Sequence, residues 1–238
     1  MPILADFGTS FVKFIRLPGD RREIRPSREV IEGVRKGPGT IADVGTGHNA
    51  ELLARRAVNE LTALARGARR LLEPRGERSF VVLDVGSRDM KYVRWREGGV
   101  ARLDWNTSCG ALTGFSLELL GRHFGIDFAS VAPASEPLPL ACGLIGIERL
   151  FDLIAGGLSA AEAIARFTRG LALSAHRFAG RPDRLFLSGG MCDNPLFLAS
   201  FPAGVEVIPL GRFVLAEGLL ADDEAGAGAS RGPPALGG

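Results

Sequence analysis

Cysteine is scarce in this 238-residue sequence: Cys109, Cys142 and Cys192 are too few and too scattered for a disulfide framework. Neither sign of charge dominates, with 29 Lys and Arg against 27 Asp and Glu, so no strong field toward nucleic acid is expected. No run of about 18 apolar residues occurs, which excludes an ordinary transmembrane helix. Met1 to Asp6 turns acidic too early for a signal peptide. His48, His123 and His176 are far apart and lack metal-ligand spacing, so each is expected to be structural or at the surface. No Ser/His/Asp triad is visible. Together these absences predict a cytoplasmic protein that engages neither nucleic acid nor membrane.

What is present is apolar residues and glycine. A hydrophobic share of 46% excludes a disordered chain. The length suits one or two domains, with roughly 70–75% of the extended surface buried. The 32 glycines are about 13% of the chain against a usual ~7%, an excess that predicts many tight turns, of a kind that can serve phosphate groups.

Two apolar runs within residues 3–17 flank Asp6-Phe7-Gly8-Thr9-Ser10 and read as a β-hairpin with a polar tip. Residues 18–39 are polar and read as a third short strand and a variable surface loop. Helical spacing covers 52–72, with arginines on the solvated face, and Pro74 and Gly76 end it. The first pattern then returns over 79–94. Aligned on the aspartates, Asp6-x-Gly8-Thr9-x-x-x-Lys13 matches Asp84-x-Gly86-Ser87-x-x-x-Lys91. This internal repeat of strand, turn and strand organises the chain. A Gly-rich turn at 109–114 opens a helix to Phe124. Further helices are predicted over 144–154, 160–179 and 214–221, with strands at 184–188 and 205–209. The Gly/Ala/Pro/Ser segment 222–238 is predicted to be a disordered tail.

Glycine in such a turn lets the backbone approach a phosphate closely, and successive N–H groups with Ser or Thr hydroxyls can cradle it. An aspartate at the tip repels phosphate but can hold a hydrated Mg²⁺ that bridges to it. Two tips, one per half, suit a polyphosphate. The turn Ser188-Gly189-Gly190 can pass close to a nucleoside.

These residues resemble the phosphate-1, phosphate-2 and adenosine motifs of the acetate kinase, sugar kinase, heat-shock chaperone and actin superfamily. Within it the sequence is similar to the activator ATPases of 2-hydroxyacyl-CoA dehydratases and benzoyl-CoA reductases. Their Asp-x-Gly-Ser-Thr-Thr-x-Lys is here Asp6 to Lys13, with Phe11 in place of a hydroxyl residue. Their Asp-Ile-Gly-Gly-Gln-Asp-Ser-Lys is Asp84 to Lys91, with Asp89 kept and Arg88 for Gln. Their Leu-Thr-Gly-Gly-Val-Ala-x-Asn is Leu187 to Asn194. Thr46-Gly47 resembles the start of their Thr-Gly-Tyr-Gly-Arg segment, and 59–68 resembles their Ser-Glu-Ile-Thr helix. Their Asn-x-x-Cys-Ala-Ala-Gly-Thr-Gly-x-Phe-Leu-Glu is Asn106 to Glu118, keeping Cys109, Thr113 and Gly114 with Leu112 for the first Gly. Cys142 stands where the family has its second cysteine. The resemblance spans roughly residues 3–221.

The resemblance implies an α/β fold of two actin-like (ribonuclease H-like) lobes, each a mixed sheet flanked by helices, with a nucleotide cleft between. The expected domains are 1–78, to which the last helix can return from the C-terminus, and 79–221. The resemblance further implies an ATPase that delivers a low-potential electron to an acyl-CoA dehydratase or reductase, taking it from a donor such as ferredoxin or flavodoxin. Asp6, Asp84 and Asp89 are the candidate catalytic carboxylates, with Asp6 and Asp84 positioning Mg²⁺. Gly8, Thr9, Ser10, Lys13, Gly86, Ser87 and Lys91 would hold the phosphates of ATP, although either lysine can equally sit on the outer face of its hairpin. Thr113, Gly114, Gly189, Gly190 and Asn194 complete the expected nucleotide-binding set. Cys109 and Cys142 would bind one [4Fe–4S] cluster between two identical subunits: such a cluster usually takes four thiolates, one chain offers two, and a two-fold homodimer supplies the rest. Each cysteine would precede a helix whose N–H groups can serve the cluster sulfurs.

Cys192, Trp95 and Trp105 are expected to pack, and Glu60 either faces the nucleotide or pairs within its helix. Two alternatives stand beside the activator. A small-molecule kinase of the same superfamily needs an acceptor site with a carboxylate base. A divergent non-catalytic regulator is suggested by Phe11, Arg88 and Leu112.

Overall fold

The computed structural model describes residues 1–35, 39–106, 114–140 and 143–220. Cys109, Leu112, Thr113, Cys142 and the expected tail 222–238 lie outside the described residues. The chain divides into two compact units, Met1–Leu71 with Leu215 onward, and Leu72–Val214.

The first unit carries strands β1 (Ile3–Phe7), β2 (Phe11–Arg16), β3 (Arg21–Pro26), β4 (Ala42–Gly47) and β5 (Ala54–Ala57), with helices α1 (Ser27–Arg35), α2 (Ala50–Leu53) and α3 (Glu60–Leu72). The second carries β6 (Phe80–Val85), β7 (Met90–Arg96), β8 (Gly99–Asn106), α4 (Gly114–Phe124), α5 (Gly143–Ala155), α6 (Ala160–Phe178), β9 (Arg184–Ser188), α7 (Pro195–Ala199) and β10 (Glu206–Gly211). Residues 214–220 form a last helix, α8, which belongs to the first unit.

The two sheets share one order and one set of directions. The first runs β3-β2-β1-β4-β5 and the second β8-β7-β6-β9-β10. The first three strands of each form an antiparallel meander, and β4 and β9 lie parallel to the central β1 and β6. The central strands are near-continuous apolar runs because both faces are covered; all six residues of β6 are buried. The second core packs α6 on the sheet through Ile164, Phe167 and Leu171, none of them exposed. Each such side chain contributes roughly 1.5–3 kcal/mol on burial. Ser159 caps α6 by accepting from the Glu162 N–H at 3.2 Å.

Several sequence expectations need correction. The helix expected over 52–72 begins at Glu60, because Asn59 Oδ1 accepts from the N–H groups of Leu61 (2.9 Å) and Thr62 (3.3 Å) and starts it there. Ala54–Ala57 instead extends the sheet beside β4. Residues 18–39 hold β3 as expected, but a helix, α1, follows where a loop was expected; its Val30 is buried in the apolar core of the first unit, with Val34 packed against the same core. The strand β8 and the short helix α7 were not anticipated. No helix among the described residues is long and apolar enough to cross a membrane.

Candidate functional site

Each unit places an aspartate at the end of its central strand, followed by a Gly-containing bend. In the first unit Asp6 is 4% exposed. Lys13, its cross-strand neighbour on β2, donates to Asp6 Oδ2 at 2.8 Å. The bend leaves no room for a side chain at Gly8, where a Cβ would lie 2.7 Å from the Phe11 carbonyl oxygen. Thr9 is exposed at the tip and Ser10 is half-buried. The start of α1 braces the bend, since Ser27 Oγ donates to the Gly8 carbonyl at 2.7 Å and the Ser27 N–H to that of Ser10 at 3.0 Å.

In the second unit Asp84 is 6% exposed, and Ser188 Oγ donates to its Oδ2 at 2.7 Å. The Gly86 N–H closes the bend on the Asp89 carbonyl at 3.0 Å. Asp89 accepts from Lys91 Nζ at 2.6 Å on one carboxylate oxygen and from Trp105 Nε1 at 3.0 Å on the other. Lys91 is buried, its ammonium 4.8 Å from the centre of the Trp105 ring. Trp105 thus hydrogen-bonds as well as packs, whereas Trp95 stacks on Phe80 across the strands.

The N–H groups of Gly114 and Phe115 donate to the carbonyls of Gly86 and Ser87, each at 3.1 Å. The first turn of α4 is therefore fastened to this tip, and these two donors are spent on protein carbonyls.

A third feature recurs in both units. Thr46 on β4 lies in register with Asp6, and Ser188 on β9 with Asp84. A glycine at positive φ follows each, Gly47 at +97° and Gly189 at +83°, and a Cβ there would fall 2.5 Å from the Phe7 carbonyl oxygen and 2.4 Å from that of Val85. Both positions admit only glycine, because a side chain would meet backbone and not a movable group. Beyond Gly189, Gly190 opens a 3₁₀ turn (Gly190–Asp193), and Asn194 caps α7, its Oδ1 accepting from the Phe197 N–H at 3.0 Å.

Cys192 is 2% exposed. Burial, reinforced by the charge of Asp193, pushes its thiol up to about 12, so it packs as an inert thiol. His176 is buried against the Pro182 carbonyl (2.9 Å), and His48 and His123 are exposed. Among the described residues no group of three or more His, Cys, Asp and Glu is placed to hold a metal ion.

No protein-family model matches the sequence, and neither does any curated protein. Solved structures do match. The activator of the 2-hydroxyisocaproyl-CoA dehydratase of Clostridium difficile, solved with bound ADPNP, superposes with a TM-score of 0.76 at 17% identity, covering 99% of both chains. Component A of the (R)-2-hydroxyglutaryl-CoA dehydratase of Acidaminococcus fermentans gives 0.74 at 19% identity, covering 94% of this chain and 98% of that one. This chain has the actin-like fold of those two proteins. A Sinorhizobium meliloti protein described as a 2-dehydro-3-deoxygalactonokinase gives 0.56 at 15% identity, covering 94% and 99%.

The sequence reading did not assign roles to the hydroxyls of Thr46 and Ser188. A signal was present: Thr46-Gly47 and Ser188-Gly189 are the same hydroxyl-glycine pair, one for each aspartate. They escape alignment because the second unit places α4, α5 and α6 between its aspartate and its pair.

Proposed function

We propose that this chain is a nucleotide-dependent activator ATPase that serves an acyl-CoA dehydratase or reductase. The observation that carries the reading is a device built twice: a buried aspartate at the end of a central strand, a glycine bend, and a hydroxyl-glycine pair in register on the neighbouring parallel strand. Each bend offers backbone N–H groups and hydroxyls (Thr9 and Ser10 in one, Ser87 in the other) to phosphate. Asp6 and Asp84 fit Mg²⁺: both are buried carboxylates at a glycine bend, and hydrated Mg²⁺ is bound through one or two such groups. Lys13 would turn from Asp6 to a phosphate oxygen. Asp89 keeps Lys91 and Trp105 in place and shapes the second bend. Gly189 and Gly190 would pass the nucleoside.

The likeness in fold to two dehydratase activators supports the finer reading. Cys109 and Cys142 would hold a [4Fe–4S] cluster with their counterparts in a second copy, since two thiols per chain make a four-thiolate set only in a dimer. When bound, the cluster would supply a low-potential electron, received from a donor such as ferredoxin or flavodoxin. The chain's own part is to link the nucleotide to the segment that bears Cys109. That segment runs directly into α4, whose first N–H groups hold the carbonyls of Gly86 and Ser87. A shift in the second bend on nucleotide binding or hydrolysis would therefore move the start of α4, a population shift driven by differential nucleotide affinity.

Anaerobic purification tests this. About two iron atoms per chain, a dimeric mass and Mg-ATP turnover are expected. Cys109→Ala should lose the iron and keep nucleotide binding. A colourless, iron-free protein after anaerobic reconstitution would overturn the electron-transfer reading, and ATP-dependent phosphorylation of a small-molecule hydroxyl would replace it with the kinase.

A further inference from the structure

The twofold repetition of the sheets is broken at one hydroxyl. Registered residues on neighbouring parallel strands point to the same face, so Thr46 shares a face with Asp6 as Ser188 does with Asp84. Ser188 uses its hydroxyl, donating to Asp84 Oδ2 at 2.7 Å. Thr46 is wholly buried, and among the described residues its Oγ1 has no hydrogen-bond partner. An oxygen of Asp6 is instead taken by Lys13, at 2.8 Å.

A buried hydroxyl without a partner carries the full cost of leaving water, and valine would fill the same space without that cost. The hydroxyl therefore has no use in the state described, and a neighbour that could use it is already at hand. Lys13 Nζ lies over the glycine bend, 3.0 Å from where a Cβ on Gly8 would stand. A phosphate seated in that bend would compete with Asp6 for the lysine.

We infer that Thr46 is the positioning residue for Asp6 in the Mg-nucleotide complex. As Lys13 turns to a phosphate oxygen, the Thr46 O–H donates to the Asp6 oxygen that the lysine releases. The carboxylate is then held as Ser188 holds Asp84, with its other oxygen directed to the hydrated cation. Lys13 and Thr46 are alternative partners of one carboxylate oxygen, the first in the free protein and the second in the complex. This rests on the reading of Asp6–Ser10 as a phosphate bend.

The test compares ADP binding by calorimetry with and without Mg²⁺, alongside thermal unfolding of the ligand-free protein, in wild type, Thr46→Val and Thr46→Ser. Thr46→Val should leave ligand-free unfolding unchanged or raised. It should reduce the enhancement of ADP affinity by Mg²⁺ about tenfold, the effect of one hydrogen bond to a charged group. Thr46→Ser should restore that enhancement. If wild type shows a Mg²⁺-dependent affinity that Thr46→Val keeps, the role of Thr46 is refuted and the phosphate bend stands. If Thr46→Val unfolds earlier or fails to fold, the hydroxyl serves the free fold and the inference is likewise refuted. If wild type binds no ADP under either condition, the phosphate bend itself is wrong and the inference goes with it.

Discussion

Replacing Gly189 with alanine tests whether the close approach at the second hydroxyl-glycine pair is a constraint of the fold. Two separate costs apply. The backbone there sits at φ +83° and ψ −174°, a region that residues other than glycine occupy at about 1–3 kcal/mol. The added Cβ would also stand 2.4 Å from the Val85 carbonyl oxygen, 2.7 Å from its carbon and 2.9 Å from the Val85 nitrogen. All three are main-chain atoms of β6, the fully buried central strand, so relief requires moving that strand and not a side chain. The sum is about 3–5 kcal/mol, at the top of the usual range for a single substitution. Two neighbouring glycines separate the terms. Gly204 has φ +85° with nothing within 4 Å of its would-be Cβ, so Gly204→Ala pays for conformation alone, about 1 kcal/mol. Gly190 lies outside the positive-φ region and meets only Arg212 Nη2 at 3.9 Å, so Gly190→Ala should be near neutral, within ~0.5 kcal/mol. Urea unfolding of the three variants reads the order directly. A Gly189→Ala protein no less stable than Gly204→Ala would show that the approach to Val85 is not a constraint.

Three further outcomes are expected. Glu217 on α8 is 3% exposed and is gripped by Arg22 Nη2 at 2.5 Å and Arg70 Nε at 3.4 Å. Glu217→Ala should cost about 2–3 kcal/mol in thermal unfolding, below the 3–5 kcal/mol of a fully buried pair because both arginines are partly exposed. Cys192, with its thiol pushed up to about 12, stays protonated from neutral pH to pH 9, and peptide mapping after iodoacetamide treatment of the native protein at pH 8 should leave it unmodified until urea is added. Trp105→Phe keeps the ring over Lys91 but removes the N–H to Asp89. It should lower stability by about 1 kcal/mol, whereas a melting point equal to that of wild type would show that Asp89 is positioned by Lys91 alone.

What was legible in the sequence was whatever is written locally. The bends at Asp6 and Asp84 repeat Asp, Gly and Lys at fixed offsets, and a hairpin closes over few residues, so pattern and structure coincide. The longest helix, α6, was legible for the same reason, as an alanine-rich stretch over 160–179. What stayed hidden depends on partners distant in sequence. Ala54–Ala57 is a strand only because β4 lies beside it, and its exposed Arg55 and Arg56 mimic the polar face of a helix. The edge strand β8 alternates Ala101, Leu103 and Trp105 with Arg102, Asp104 and Asn106, but it is exposed along most of its length and its place at the sheet edge is set by its pairing with β7. The pairing of Thr46 with Asp6, and of Ser188 with Asp84, is a matter of register between strands that no local spacing records.

The path of the chain between its two units bears on how the protein is made. A ribosome releases the second unit, Leu72–Val214, in one uninterrupted stretch. The first unit begins earlier but is finished later, because Gly218 of its last helix packs so closely on Ala63 that a Cβ would overlap the Ala63 carbonyl, and because Glu217 is the shared acid of Arg22 and Arg70. Until α8 emerges, Arg22 and Arg70 lack Glu217, and Ala63 on α3 lacks the helix that packs on it. The half synthesised first is thus the half that must wait, and a released fragment ending at residue 214 should protect the second sheet from protease while leaving the first open to it.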